Sequence, residues 1–563
     1  MTQHSNHQVA DEKQYEERLR RRLKLLKKEF DAGNVVLNAD LKVIDSLKAV
    51  RYGADGEVDL NTVDGLVRSL ALAVEGIHYR EETKKIISLQ DLQRGYFQNI
   101  ESLFGSLYED MKRARVAPFQ VGTGVSRDPE GMRIFSKAIP DVLAWAENLW
   151  KEAHEIAHTH AEDLDGLKGV FGGETFPQGY KNIVSCTGIY IDTNILPDPF
   201  LRSKIVLTGA DRAMAVRTLV TNALSLLHYK EAALAELEVP IVAIIPDLLF
   251  LDRYMYRQVK SAAAEDTLSH LKTIFGIQFA NLEEAQHFTG KLETPADVVR
   301  RVVDPSRLIF DLDDRAPVES QIENYIATYL KPSGYQMGAG QAVLLSTIGR
   351  MSQANDLLFR SARLRGVPII DAPTSWQYFN WKLSYGSERH DPEMHFRLHM
   401  TKALQSAASG EMEWLGAVPV KVLVEMRKHD VLPELRSILS SGVKELIDLR
   451  PDNFYRTSDQ VVDNMQKAFD EHRKKLSALT GKKWRFAGVE LASCIVKGAV
   501  QVASACGVPV VSLVNVALDQ AVDVPKMKQI PGRIRALRHE TKELRSSAVG
   551  MLFQVAQNPK SRR

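Results

Sequence analysis

The run Ile183-Val184-Ser185-Cys186-Thr187-Gly188-Ile189-Tyr190-Ile191-Asp192-Thr193-Asn194 sets β-forming apolar residues ahead of an acidic, hydrogen-bonding tip. Such a run reads as a buried strand that delivers Asp192 to its carboxyl end. The same device recurs downstream: Pro240 to Ile245 leads into Pro246-Asp247, Arg307 to Phe310 into Asp311, and Gly366 to Ile370 into Asp371. Four parallel strands of this kind would collect their aspartates along one edge of a sheet, where open α/β folds bind ligands.

Working outward, strand and helix patterns alternate from about residue 178 to residue 376. Helical spacing covers 210–227, 253–275, 318–330 and 341–365, while 240–245, 308–310 and 367–370 read as strands and 275–279 as a further one. Strands separated by helices of this length predict an α/β fold with a central parallel sheet domain, flanked by N- and C-terminal helical regions. The expected boundaries are 1–175, 176–376 and 377–563. Gly166, Gly169, Gly172, Gly173 and Gly179, with Pro177, read as the linker before the pivotal strand. On the N-terminal side the helical pattern breaks at 53–56 and at Gly122-Thr123-Gly124, and a helix start near 60–65 offers Asn61 or Thr62 as its cap. After Trp376 helical spacing returns at 420–429, 432–439 and 460–479.

A length of 563 residues exceeds what one core supports, and 44% hydrophobic with 26% charged residues is the balance of a globular chain. With 73 basic against 71 acidic residues the net charge is +2, so no global field draws nucleic acid and any such contact must come from a local patch. Cys186, Cys494 and Cys506 lie in apolar segments without ligand spacing and read as reduced, buried thiols. The polar N-terminus lacks the plan of a signal peptide, which places the protein in the cytoplasm. The uncharged stretch 498–518 is broken by Gly507-Val508-Pro509 and reads as buried core, so a membrane partner is not expected.

Two basic regions stand out. Residues 11–30 form an amphipathic helix with Tyr15, Leu19, Leu23, Leu26 and Phe30 along one stripe and Arg18, Arg20, Arg21, Arg22, Lys24, Lys27 and Lys28 on its other faces. That helix reads as packed on a neighbour, or as an arm contacting RNA or a partner protein. The second region is 533–545, followed by Lys560, Arg562 and Arg563.

Ile189-Tyr190-Ile191-Asp192-Thr193-Asn194-Ile195-Leu196 resembles the opening motif of PIN-domain nucleases. The resemblance implies three or four acidic residues on a compact α/β sheet, bound Mg²⁺ or Mn²⁺, and hydrolysis of single-stranded RNA. Only Asp192 matches residue by residue, with Thr193 and Asn194 as its supporting neighbours. Pro197 and Pro199 interrupt the place where that family starts a helix, and no acid occupies 338–343. Hard divalent cations favour clustered carboxylates, so Asp192, Asp247, Asp311 and Asp313 are the candidate catalytic residues, and Asp192, Asp311, Asp313 and Asp371 the candidate metal ligands. Each aspartate could equally end its strand by capping the next helix.

His154-Glu155-Ile156-Ala157-His158 fits H-E-x-x-H, in which two histidines one turn apart ligate Zn²⁺ and the glutamate is the general base. The apolar stripe of Val142, Trp145, Leu149, Ala153 and Ile156 turns both histidines away, toward a zinc site or a solvated face. Glu174, His160 and Glu162 are candidates for a third ligand. A further pair, His395 and His399, has the same spacing. P-loop, dinucleotide-binding and G-x-S-x-G motifs are absent from the sequence.

The expectation is therefore a metal-dependent hydrolase, most specifically an RNA nuclease using strand-end aspartates. The alternatives are a non-catalytic scaffold or interaction component of a multi-protein bacterial complex, such as a defence system, and an H-E-x-x-H zinc metalloprotease.

Overall fold

The structure, a computed structural model, describes residues 2–34, 41–172, 176, 183–247, 253–311, 316–330, 336–385, 391–410, 412–449, 453–481, 485–486, 489–490, 539 and 542–557. The uncharged stretch 498–518, Cys494, Cys506, Asp313 and, from the C-terminal basic region, 533–538, 540–541 and 558–563 lie outside these residues. The chain divides into two units, one formed by Met1–Leu92 with Glu155–His160 and the other by Gln93–His154 with Ala161–Arg563.

The first unit contains α1 (Thr2–Asp31), α2 (Leu41–Ala49) and α3 (Gly65–Ile86), the last two separated by a turn bridged between Tyr52 and Val58. The apolar spacing of α1 explains its packing. Leu19, Leu23 and Leu26 are buried with Val67, Ala71 and Val74 of α3 and with Val58 and Val63. Arg21 and Arg22 both reach Glu75 on α3, and Lys24 reaches Glu57. The helix read as packed or as a free arm is thus docked along α3. Its neighbour α3 is capped two or three residues later than expected, because Asp59 caps a short 3₁₀ turn and Asp64 caps α3 by accepting from the Val67 amide. Leu23→Ala is expected to cost this unit about 2–4 kcal/mol. Loss of hydrogen-exchange protection along α1 is the measurement.

The second unit runs through α4 (Leu89–Ala114), α5 (Pro118–Arg127), α6 (Pro129–Asp163), β1 (Lys168–Gly172), α7 (Ile183–Thr187), β2 (Thr193–Pro197), α8 (Pro199–Arg202), α9 (Lys204–Leu207), α10 (Arg212–His228), α11 (Lys230–Ala233) and β3 (Val242–Ile245). It continues with α12 (Arg253–Phe275), α13 (Leu282–Thr289), α14 (Pro295–Arg301), α15 (Val318–Tyr325), α16 (Ala339–Leu364), β4 (Gly366–Ile370), α17 (Pro373–Tyr385) and α18 (Pro392–Ser409). The last elements are α19 (Val420–Lys428), α20 (Leu432–Ser440), α21 (Val443–Leu449), α22 (Phe454–Gly481) and α23 (Ala548–Gln557).

Four strands form one parallel sheet in the order β3-β2-β1-β4. Every sheet residue is buried, as expected of a parallel sheet covered by helices. The β3 edge is closed by a side chain: Gln93 of α4 donates to the Ile244 carbonyl and accepts from the Ile244 amide, both at 2.8 Å. One buried amide thereby replaces the missing neighbouring strand.

The α/β reading with flanking helical regions holds, but four local readings are corrected. Ile183-Val184-Ser185-Cys186-Thr187 is the short helix α7, and the strand begins only at Thr193, so Asp192 stands at the amino end of β2. The stretch read as a linker contains β1, because Gly172 has no Cβ to strike the Leu357 side chain of α16, whose atoms would lie 2.7 Å from it. Residues 275–279 and 308–310 are not strands; Phe279, Leu308 and Phe310 fill a helical core with Leu271, Ile322 and Val343. Gly122 lies within α5 rather than breaking it, and its bare Cα lets that helix approach Arg217 and Thr221 of α10.

Candidate functional site

Three of the four strands finish on an aspartate, and each carboxylate has a different environment. Asp198 follows β2 and is 1% exposed. Its Oδ1 accepts from the Phe200 and Leu201 amides at 2.8 Å, capping α8, while Oδ2 accepts from Tyr96 Oη and Trp150 Nε1 at 2.7 Å. Burial raises its pKa and the four donors oppose that rise.

Asp247 follows β3. Arg202 Nε donates to Oδ2 at 2.8 Å, and Arg360 lies 3.0 Å from Oδ1. Arg360 also pairs with Asp356 at 2.9 Å and donates to the Phe171 carbonyl of β1. Two arginines and two aspartates thus neutralise one another in the interior.

Asp371, following β4, is the exception. It forms no ion pair within 4.0 Å among the described residues; its nearest countercharge is Lys402 of α18, an electrostatic partner at longer range. Its atoms are open to water, yet burial is the chief cause raising its pKa. Lys402 is half-buried, with its ammonium 4.4 Å above the Trp376 ring, and burial lowers its pKa to about 8. Cys186 of α7, fully buried and with its thiol pKa pushed up by burial, feels both charges. Buried Tyr229 also senses Asp371. In a sheet ordered 3-2-1-4, β2 and β3 lie on one side of β1 and β4 on the other, so the switch falls between β1 and β4. Doubly wound sheets bind ligands beyond the strand ends at such a switch.

The opposite edge holds the motif that resembled a nuclease. Asp192 Oδ2 accepts from the Leu167 amide at 2.6 Å and pairs with Arg436 of α20 at 2.7 Å. Gly166, at φ 82°, leaves the space that a Cβ would take within 2.5 Å of that carboxylate. Arg427 and Arg436 donate to the Ile191 and Tyr190 carbonyls. Thr193 donates to the Pro240 carbonyl, and Asn194 accepts from Thr187. Asp192 is consequently separated from Asp247 and Asp371 by the length of the strands, roughly 13–17 Å at about 3.3 Å per residue.

The remaining candidates are dispersed as well. Asp311 is exposed in the helical region after α14. Among the described residues no group of three or more His, Cys, Asp or Glu side chains is placed to hold a metal ion. In the H-E-x-x-H segment, His154 Nδ1 faces the Trp150 carbonyl, Glu155 accepts from Tyr79, and His158 is buried rather than on a solvated face. Of the possible third ligands, His160 faces the Ile87 carbonyl and Glu162 pairs with Arg363, while Glu174 lies outside the described residues. His395 and His399 bring their Nε2 atoms to 3.0 Å, stacked with Phe454. No described helix is long and apolar enough to cross a membrane.

Sequence reasoning missed Asp198, Lys402 and Tyr229, while Cys186 is buried as read from the sequence. Asp198 did carry a signal, since Pro197-Asp198 repeats the Pro246-Asp247 pattern, whereas nothing in Met400-Thr401-Lys402-Ala403 distinguishes Lys402. A recess of about 680 Å³ is lined by residues including Ser185, His228, Tyr229, Val418 and Leu423, with the Lys230–Glu101 ion pair in its wall. Comparison with models of known protein families, with curated proteins and with solved structures returns no match to this chain.

Proposed function

We propose that the second unit binds a small, oxygen-rich metabolite at the carboxyl edge between β1 and β4. Asp371 would accept hydrogen bonds from its hydroxyls, and Lys402 would donate to a carbonyl, carboxylate or phosphate oxygen. The supporting observation is the open, mutually unpaired Asp371 and Lys402 at the topological switch, beside Asp198 and Asp247 that are fully satisfied by protein. Opposite charges left unjoined at one sheet edge present one donor and one acceptor to a single ligand. By contrast, the RNA-nuclease expectation rests on a motif whose three side chains are engaged by Leu167, Arg436, Pro240 and Thr187.

The test is thermal unfolding with nucleotides, sugar phosphates and 2-oxo acids as three separate panels. A ligand at about a hundred times its Kd adds about 2.7 kcal/mol to the native state. The expected result is stabilisation by at least one class in the wild-type chain, lost in Asp371→Asn and Lys402→Met. No shift with any class, or one unchanged in both variants, overturns the proposal. Lys402→Met carries a second expected outcome. Burial lowers the folded-state pKa from 10.5 to about 8, so the cost of holding the ammonium appears as pH falls through that interval and persists below it. Near pH 7 the variant should therefore melt higher than the wild type while binding worse.

A further inference from the structure

The ligand site proposed above makes no use of an imidazole pair on α18. His395 and His399 stand one turn apart, so their side chains leave the same face of that helix. Their Nε2 atoms lie 3.0 Å apart. The ring centroids are 4.8 Å apart, closer than two rings meeting head-on across that gap would be, so the rings are bent off the line joining the nitrogens. Phe454, at the start of α22, fixes both planes: its ring stacks on His399 at 3.9 Å and runs near-parallel to His395 at 6.3 Å. Thr457, one turn further on, sets Oγ1 3.0 Å from His399 Nδ1. His399 and Thr457 are buried, whereas His395 is partly exposed. With its proton on Nδ1, His399 donates to Thr457 Oγ1 and presents the Nε2 lone pair toward His395.

We propose that His395 and His399 form a two-imidazole site for a divalent transition-metal ion that favours ligands at right angles, Cu²⁺ or Ni²⁺. At imidazole–metal bonds of about 2.0–2.1 Å, neighbouring ligands of a square-planar ion stand about 2.9 Å apart and those of a tetrahedral ion about 3.4 Å. The observed 3.0 Å matches the first arrangement. Helix α18 supplies this spacing from its own pitch, so the backbone need not move to take the ion. Thr457 is the outer partner that holds His399 in its ligand tautomer, and Phe454 holds the ring planes. The partly exposed His395 gives the ion its approach from solvent. Of the cations on α18, Arg397 is paired with Glu393 and Lys402 is turned over the Trp376 ring. Binding moves no electrons between groups. The ion replaces the proton shared by the two rings, which passes to Nδ1 of His395 or to solvent. Two protein ligands leave the other in-plane positions to water or a small molecule, so the site is open.

The test titrates the full chain with Cu²⁺, Ni²⁺ and Zn²⁺ separately by calorimetry and records the electron paramagnetic resonance spectrum of the Cu²⁺ form. The expected result is one equivalent of Cu²⁺ and of Ni²⁺ in the wild-type chain that is lost in His395→Ala. The Cu²⁺ signal belonging to that equivalent should be tetragonal and split by two imidazole nitrogens. His395→Gln, which keeps a polar side chain of similar size at this partly exposed position, should lose the equivalent too, so that a folding defect in the alanine variant does not decide the outcome. Thr457→Val leaves both ligands in place and should weaken the equivalent by about 10- to 100-fold, the usual cost of losing an outer hydrogen-bond partner. His154→Ala, in the other histidine pair of this spacing, should leave it unchanged. Equal titrations of the wild type and both His395 variants overturn the site, as does the same loss in His154→Ala. Tighter binding of Zn²⁺ than of Cu²⁺ at this equivalent overturns the choice of ion, and Thr457→Val matching the wild type overturns the part given to Thr457.

Discussion

Asp198→Ala should destabilise the protein by about 4 kcal/mol, because it strands four buried donors at once and each unsatisfied group costs about 1–3 kcal/mol before relaxation. The donors are the Phe200 and Leu201 amides, Tyr96 Oη and Trp150 Nε1, all within 2.8 Å of the carboxylate. Three functions converge on this one side chain: it caps α8, ends β2, and ties α4 and α6 to the sheet. Asp198→Asn keeps one carbonyl oxygen but turns an amide NH₂ toward donors, so an intermediate loss is expected. Denaturant unfolding followed by tryptophan fluorescence is the measurement. A change below about 1 kcal/mol in the alanine variant would show that this network is not what holds β2 in place.

Asp247→Ala should cost a similar amount, about 3–5 kcal/mol, because it leaves Arg202 and Arg360 buried without their shared anion. The outcome also separates two views of Asp247. A carboxylate clustered with others for a metal repels its neighbours in the metal-free protein, so its removal would leave stability unchanged or raised. A carboxylate already paired with two arginines gives the opposite sign. Combining Asp247→Leu with Arg360→Met should recover part of the loss, since replacing a buried ion pair with apolar groups of similar size is often near neutral. Failure of the double variant to recover anything would point to Asp356 and the Phe171 carbonyl, the other partners of Arg360, as the main source of stability.

The sequence by itself determined the class of the fold and much of its middle. The 3.6-residue spacing at 253–275 and 341–365 corresponds to α12 and α16 almost residue for residue, and the apolar runs ending at Ile245 and Ile370 are β3 and β4. These elements were legible because each carries its period over its own length. What failed locally was the pivotal run. Ile183 to Ile191 is buried on every side, so its residues show no alternation, and periodicity cannot separate a strand from a short helix and turn. β1 was hidden for a related reason: Lys168-Gly169-Val170-Phe171-Gly172 carries glycines that punctuate a chain when read alone but permit close packing once Ile369 and Leu357 are present.

Tertiary structure alone decided which acids share an edge. Moving the start of β2 to Thr193 left Asp192 at the amino end, held by Leu167 and Arg436, and brought Asp198 to the carboxyl end in its place. It also decided which charges are spoken for. Arg360 comes 113 residues after Asp247 in the chain to neutralise it, whereas Lys402 stops short of Asp371 and leaves it open. Such pairings depend on where α16 and α18 pack against the sheet, and a residue's local sequence carries no information about a partner brought to it by the fold.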